Sequence, residues 1–156
     1  MDVVYSDVVS HAPEGIWSKL APLRVLSFDI ECQGRQGHFP DAQHDPVIQI
    51  SSVVQVQGEK VPAVQIVFTL KGCLPIVGAQ VVASETEDEL LLKWRDFVQA
   101  TDCDLWTGYN IQNFDTPYLL NRAKVCVLLW LGASLSGSVV VFVLCRIACS
   151  HLISPI

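Results

Sequence analysis

Leu23-Arg-Val-Leu-Ser-Phe-Asp-Ile-Glu31 sets the terms for the rest of the chain. Its apolar residues alternate, so Leu26, Phe28 and Ile30 share one face of an extended strand while Val25, Ser27, Asp29 and Glu31 share the other. Two carboxylates at i and i+2 on one strand face have alpha carbons about 6.5–7 Å apart. That spacing lets Asp29 and Glu31 converge on metal ions held above a sheet. Solvated acidic residues on an exposed strand are the commoner reason for such a pair, so a further carboxylate is needed to favour metal binding.

Working outward, Ser10 to Pro22 carries Pro13, Gly15 and Pro22 and predicts an irregular lead-in over residues 1–22. Gly34 to Pro46 predicts a loop. Val47 to Gln57 and Val64 to Leu70 suit a second and third strand, joined by a turn at Gly58-Glu-Lys60. So short a connection favours antiparallel pairing. Ser84-Glu-Thr-Glu87 fits a capping box that opens a helix, with Leu90, Leu91, Trp94, Phe97 and Val98 forming its apolar stripe. Glu85, Glu87, Asp88 and Glu89 complement the dipole of that helix, which explains them without a metal. Asp104 to Tyr109 predicts a fourth strand. A second helix is expected near Asp115, whose carboxylate can cap its first amides, with Pro117 tolerated in the first turn. Strands, helix, strand and helix in this order make an α/β layered domain with a mixed sheet. Asp115 is the further carboxylate, at a loop-to-helix junction directly after a strand, where side chains point into a crevice beside the sheet.

The composition of the 156 residues, 51% hydrophobic, excludes intrinsic disorder. A formal net charge of −6 lacks the basic excess that accompanies bulk electrostatic binding of nucleic acid. The mean hydropathy of +0.39 is high for a soluble enzyme and is unevenly distributed. All but one of the ten Lys and Arg, and all sixteen Asp and Glu, precede Val125. Val125 to Cys145 has no charged side chain, and Arg146 is the one formal side-chain charge beyond Lys124. The six cysteines show no Cys-x-x-Cys spacing, and Asp2, Asp7 and Glu14 interrupt any apolar run at the N-terminus. A disulfide or zinc framework is therefore not expected, and a reducing compartment fits better.

Phe28-Asp-Ile-Glu-Cys32, Asp45-Pro-Val-Ile-Gln-Ile50 and Gly108-Tyr-Asn-Ile-Gln-Asn-Phe-Asp115 together resemble the 3′→5′ exonuclease domain of family B DNA polymerases, and within that family the delta type. The similarity covers about residues 2–124, and it is the combination of motifs that makes it specific. It implies an RNase H-like α/β fold with a mixed sheet, present in part over residues 23–124, and a nuclease using two divalent ions, Mg²⁺ or Mn²⁺. Asp29 would bridge both ions, Glu31 would hold the one that activates water, and Asp115 would bind the second. Asn110 and Phe114 would lie at the DNA 3′ end, Phe114 as a stacking wedge. Asn110 as an ordinary turn residue and Phe114 as a core aromatic remain equally open. The resemblance further implies a nuclear setting, with DNA 3′ ends and the other subunits of a delta-type polymerase as partners. The acidic balance then agrees with DNA, because bound metals supply positive charge where a phosphate sits.

The chain departs from that family in lacking the polymerase palm with its catalytic aspartates, the C-terminal cysteine metal motifs and one exonuclease motif. The third exonuclease motif, Tyr-x-x-x-Asp, is absent: Tyr109 is followed four residues on by Asn113, and Tyr118 by Arg122. The chain alone is accordingly expected to be nearly inactive. Residues 125–156 are expected to be an unrelated hydrophobic tail, translated from an unspliced intron, with a splice donor at the Lys124–Val125 junction. A membrane span over Val125 to Cys145 and a buried completion of the sheet stay open. A non-catalytic fragment that binds DNA or polymerase partners, and a protein anchored in a membrane by its tail, are the competing functions.

Overall fold

The computed structural model describes residues 4–130. Val4 to Leu23 form the lead-in, with two short 3-10 turns at Tyr5–Asp7 and Gly15–Ser18 and no buried residue. There follow β1 (Arg24–Cys32), β2 (Val47–Val56), β3 (Val64–Leu70), β4 (Gln80–Ser84), α1 (Glu87–Thr101), β5 (Leu105–Thr107) and α2 (Asp115–Trp130). The expected α/β layering with a mixed sheet is present. The five strands lie in the order β4-β3-β2-β1-β5. β1 pairs antiparallel with β2, and β2 with β3, whereas β5 runs parallel to β1 and β4 parallel to β3.

The alternation of β1 fixes which face is covered. Leu26, Phe28 and Ile30 are buried, and Ser27, Asp29 and Glu31 are exposed on the opposite side. β2 continues the inner face with Ile50, Ser52 and Val54, in register through the pairs Ile30–Ile50, Phe28–Ser52 and Leu26–Val54. Leu90 and Trp94 of α1 and Tyr118 and Leu119 of α2 close over these residues. Trp94 lies 5.3 Å from the Phe28 ring and gives its indole N–H to the Ser52 hydroxyl at 3.1 Å, so the one polar atom of this large side chain is satisfied inside the core.

Two expectations need correction. The sequence gives no place to β4, yet Gln80–Ser84 forms an edge strand beside β3. Its connection, residues 71–79, contains no helix, whereas parallel neighbours are usually joined by a longer crossover. It makes the turn with Lys71 at φ 69° and Gly78 at φ 83°. Because Ser84 ends that strand, it does not cap α1. Thr86 does: its hydroxyl accepts the Glu89 N–H at 3.4 Å, and the Glu89 carboxylate returns to the Glu85 N–H at 2.8 Å. The box therefore stands two residues later than the pattern Ser84 to Glu87 suggests. α1 ends at Asp102, whose left-handed φ of 43° reverses the chain toward β5.

α2 begins at Asp115 as expected and continues without a break across Lys124–Val125 to Trp130. Most of the expected hydrophobic tail, and of the alternative membrane span, lies outside the described residues. Among the described residues no helix is long and apolar enough to cross a membrane.

Candidate active site

The site forms where β1 loses its neighbour. β5 pairs only with Val25, Leu26 and Ser27, so beyond Ser27 that edge of β1 has no strand beside it. A free backbone N–H there would be costly if buried. The Asp115 carboxylate takes it instead, accepting the Ile30 N–H at 3.1 Å. Ile30 is the residue between Asp29 and Glu31, so the first residue of α2 is seated on the very stretch of β1 that carries the two strand carboxylates.

The approach is so close because Gly108 has no side chain. A Cβ at that position would stand 2.6 Å from the Phe28 carbonyl oxygen and 2.3 Å from Ile111 Cγ2. Asn110 then turns the chain with φ at 55°, a conformation asparagine tolerates better than most residues. Its carbonyl accepts the N–H groups of Asn113 and Phe114 at 3.1 and 3.0 Å, and its side-chain oxygen accepts Asn113 Nδ2 at 3.0 Å. The loop from Tyr109 to Phe114 is thus a defined turn that delivers Asp115.

Asp115 is 2% exposed, and burial pushes its carboxyl pKa up. The hydrogen bond from Ile30 N–H opposes that rise, while the adjacent Asp29 carboxylate adds to it by repulsion and by favouring a shared proton. Among the described residues none of Asp29, Glu31 and Asp115 belongs to an ion pair. The structure therefore brings Asp29 and Asp115 together and leaves their negative charge without a cationic side chain. Glu31 shares the exposed face with Asp29 but is not gathered with them. No group of three His, Cys, Asp or Glu side chains among the described residues is arranged to hold a metal ion. As ligand chemistry the set fits a hard divalent ion, since every donor is a carboxylate oxygen and the buried one is strained by a like charge.

Asn110 is exposed and serves the turn. Phe114 is half-buried, its ring 5.4 Å from that of Tyr118 and 5.5 Å from that of the exposed Phe39. At Cys32, the end of β1, burial pushes the thiol up to about 11.

Over residues 1–140 the chain matches the family model for the exonuclease domain of DNA polymerase family B. The chain belongs to this family. Within it, the DNA polymerase delta catalytic subunit of Glycine max is 59% identical over 122 residues, which are 78% of this chain and 11% of that protein. The Arabidopsis thaliana subunit is 61% identical over 77% of this chain and 11% of its own length, and the Drosophila melanogaster subunit is 57% identical over 79% and 11%. A solved family B DNA polymerase, from the archaeon Pyrobaculum calidifontis, is 33% identical over 68% of this chain and 11% of that one, with a TM-score of 0.48. The chain thus spans about a tenth of the length of the curated relatives it matches.

Sequence reasoning missed the scaffold behind these carboxylates. Tyr118 gives its hydroxyl proton to the Asp45 carbonyl at 2.8 Å. Asp45 is itself buried and is held ionised by the Asp41 N–H at 2.7 Å and by Arg35 Nε at 2.9 Å. Arg122 pairs with Glu87 in the interior. The one signal in the sequence was helical spacing, which places Tyr118 and Arg122 at i+3 and i+7 from Asp115, on the same stripe of α2.

Proposed function

We propose that this chain is part of a 3′→5′ exonuclease that shortens DNA from its 3′ end, the proofreading element of a delta-type replicative polymerase. The observation that carries this reading is the Asp115 carboxylate seated on the Ile30 amide, between the strand positions of Asp29 and Glu31. In that place a helix carboxylate and a strand carboxylate stand close together at the open edge of β1.

Asp29, Glu31 and Asp115 would hold the divalent ions, Mg²⁺ or Mn²⁺ by ligand type, with Asp29 shared, Glu31 on the ion that activates water and Asp115 on the second. When bound, two such ions stabilise the attacking and leaving oxygens of a phosphodiester. The protein's own contribution is orientation. The Ile30 amide fixes one oxygen of Asp115, the rigid β1 strand fixes Asp29 and Glu31, and the turn at Asn110 leaves Phe114 beside Asp115 to stack on an unpaired terminal base. The further partners would be the other subunits of a delta-type polymerase, which the catalytic-subunit names of the 53–61% identical relatives support, and the setting would be the nucleus.

The test is made in the full-length polymerase. Replacing Asp29 and Glu31 with Ala is expected to lower removal of a mispaired 3′ nucleotide by at least about 100-fold, more than outer-shell partners of a metal usually cost, while polymerisation continues. Undiminished proofreading would overturn the assignment.

A further inference from the structure

We propose that Arg122, through its ion pair with Glu87, is a positioning residue that holds Asp115 against β1. The inference rests on Asp115 being a ligand of the proposed metal site, and it names a residue outside that site which the reaction depends on.

Asp115, Tyr118 and Arg122 fall at i, i+3 and i+7 of α2 and so form one stripe. All three are buried, at 2%, 5% and 5% exposure. Each is tied to a different neighbour. Asp115 meets β1 at the Ile30 amide, Tyr118 meets the β1–β2 connection at the Asp45 carbonyl, and Arg122 meets that connection and α1 together. The Arg122 guanidinium gives Nε to Glu87 Oε1 at 2.8 Å, Nη2 to Glu87 Oε2, and Nη1 to the Ala42 carbonyl at 3.1 Å. Glu87 Oε1 also accepts the Val47 N–H at 2.8 Å, at the first residue of β2. One carboxylate therefore joins the first turn of α1, the start of β2 and the middle of α2.

The Asp115 end of the helix depends on this joint because the Asp115 side chain reaches β1 through one hydrogen bond, from the Ile30 amide. A lone bond of that kind does not by itself fix the direction of a carboxylate. An α-helix is stiff, so a clamp seven residues on, about 10 Å along the axis, transmits its register to the first turn. The fork of an arginine fixes direction as well as distance, which an ammonium group on a flexible stem does not. Glu87 also stands among the acidic residues expected only to serve the α1 dipole; its buried pairing gives it this second role.

The experiment follows the Ile30 amide by hydrogen exchange in NMR and, in parallel, Mn²⁺ affinity, using the whole chain. Arg122→Met is expected to speed Ile30 exchange about tenfold relative to amides bonded within the β1–β2 ladder, and to weaken Mn²⁺ binding by a similar factor. Arg122→Lys is expected to recover part of both effects. In an Asp115→Asn background Arg122→Met is expected to add no further loss of Mn²⁺ affinity, because the ligand it positions is already gone. Equal acceleration of Ile30 and the ladder amides, or additive losses in the double variant, would mean that Arg122 only stabilises the fold and would overturn the proposal. Should Arg122→Met not fold, Glu87→Gln, which keeps an acceptor for Val47 and Arg122 but removes the charge, is compared in the same way: selective release of Ile30 supports the positioning role, and equal acceleration overturns it. Failure of the wild-type chain to bind Mn²⁺, with Ile30 still selectively released in Arg122→Met, would sink the metal reading and leave the positioning intact.

Discussion

Gly108 lies against the Phe28 carbonyl so closely that any side chain there would overlap it, with a Cβ only 2.6 Å from the oxygen. The contact sits between the end of β5 and the turn that carries Asp115, so it controls how near α2 comes to β1.

Gly108→Ala is therefore expected to destabilise the chain by about 1–3 kcal/mol, the usual cost of overpacking a rigid contact. Urea denaturation followed by circular dichroism measures it. The obstacle is backbone, which cannot turn aside as a side-chain tip would. A loss within error would show that the β5–α2 junction has slack.

Asp115 gives a pH dependence of definite sign. Burial first, and Asp29 in addition, raise its folded-state pKa above the ordinary 3.8. Its contribution is fully present below that ordinary value and is lost as pH rises through the raised one. In EDTA the wild-type chain is thus expected to lose stability relative to Asp115→Asn as pH is raised from about 4 toward neutrality. Asn keeps an oxygen for the Ile30 amide and removes the charge. The comparison cancels other carboxylates such as Asp41, whose pKa is lowered by the Gln43 N–H and by His44 and whose contribution runs the opposite way. A divalent ion is expected to abolish or invert the difference. Parallel stability curves for the two proteins would contradict the burial of a charged Asp115 beside Asp29.

Tyr118→Phe removes only the hydroxyl that meets the Asp45 carbonyl at 2.8 Å. A cost of about 1 kcal/mol is expected. Burial and the neighbouring Cys32 push the Tyr118 phenol well above the usual tyrosine range. In an alkaline absorbance titration it is expected to ionise only as the fold is lost, and the variant identifies its share of the signal.

The isolated chain is expected to release nucleotides from a mismatched primer in Mg²⁺ far more slowly than a full-length delta-type polymerase. The described residues gather Asp29 and Asp115 but no third ligand. A nucleophilic water held by an incomplete ligand set is poorly aimed, and misplacement on the order of 1 Å can cost about 100-fold. Product release at the full-length rate would disprove this.

Phe114 and Phe39 separate packing from DNA contact. Phe114 is half-buried against Tyr118 and Phe39, while Phe39 is 77% exposed. Phe114→Ala is expected to lower stability by about 2 kcal/mol, somewhat below a full core truncation, and Phe39→Ala by about 0.5 kcal/mol or less. Fluorescence anisotropy with single-stranded DNA then shows whether Phe114 stacks a base beyond its packing role.

Much of this domain was legible in the residues because local patterns encode it. The alternation of β1, the stripe of α1 and the turn chemistry between β2 and β3 each depend on neighbours a few positions apart. β4 was not legible: Gln80-Val-Val-Ala-Ser84 is short, and only its pairing with β3 distinguishes it from a loop. Nor was the cap of α1, since Ser84 and Thr86 both fit the pattern until the strand claims Ser84.

The sequence by itself determined the chemistry on offer, namely Asp29 and Glu31 on one strand face and Asp115 at a helix start after a turn at Asn110. Tertiary structure alone decided that Asp115 meets the Ile30 amide, 85 positions earlier, and that Glu87 meets Arg122, 35 positions later. Contacts of that span have no periodicity to betray them. They follow from where β5 stops beside β1, from the missing side chain of Gly108, and from the need of buried charged and polar groups to find partners once the helices close over the sheet.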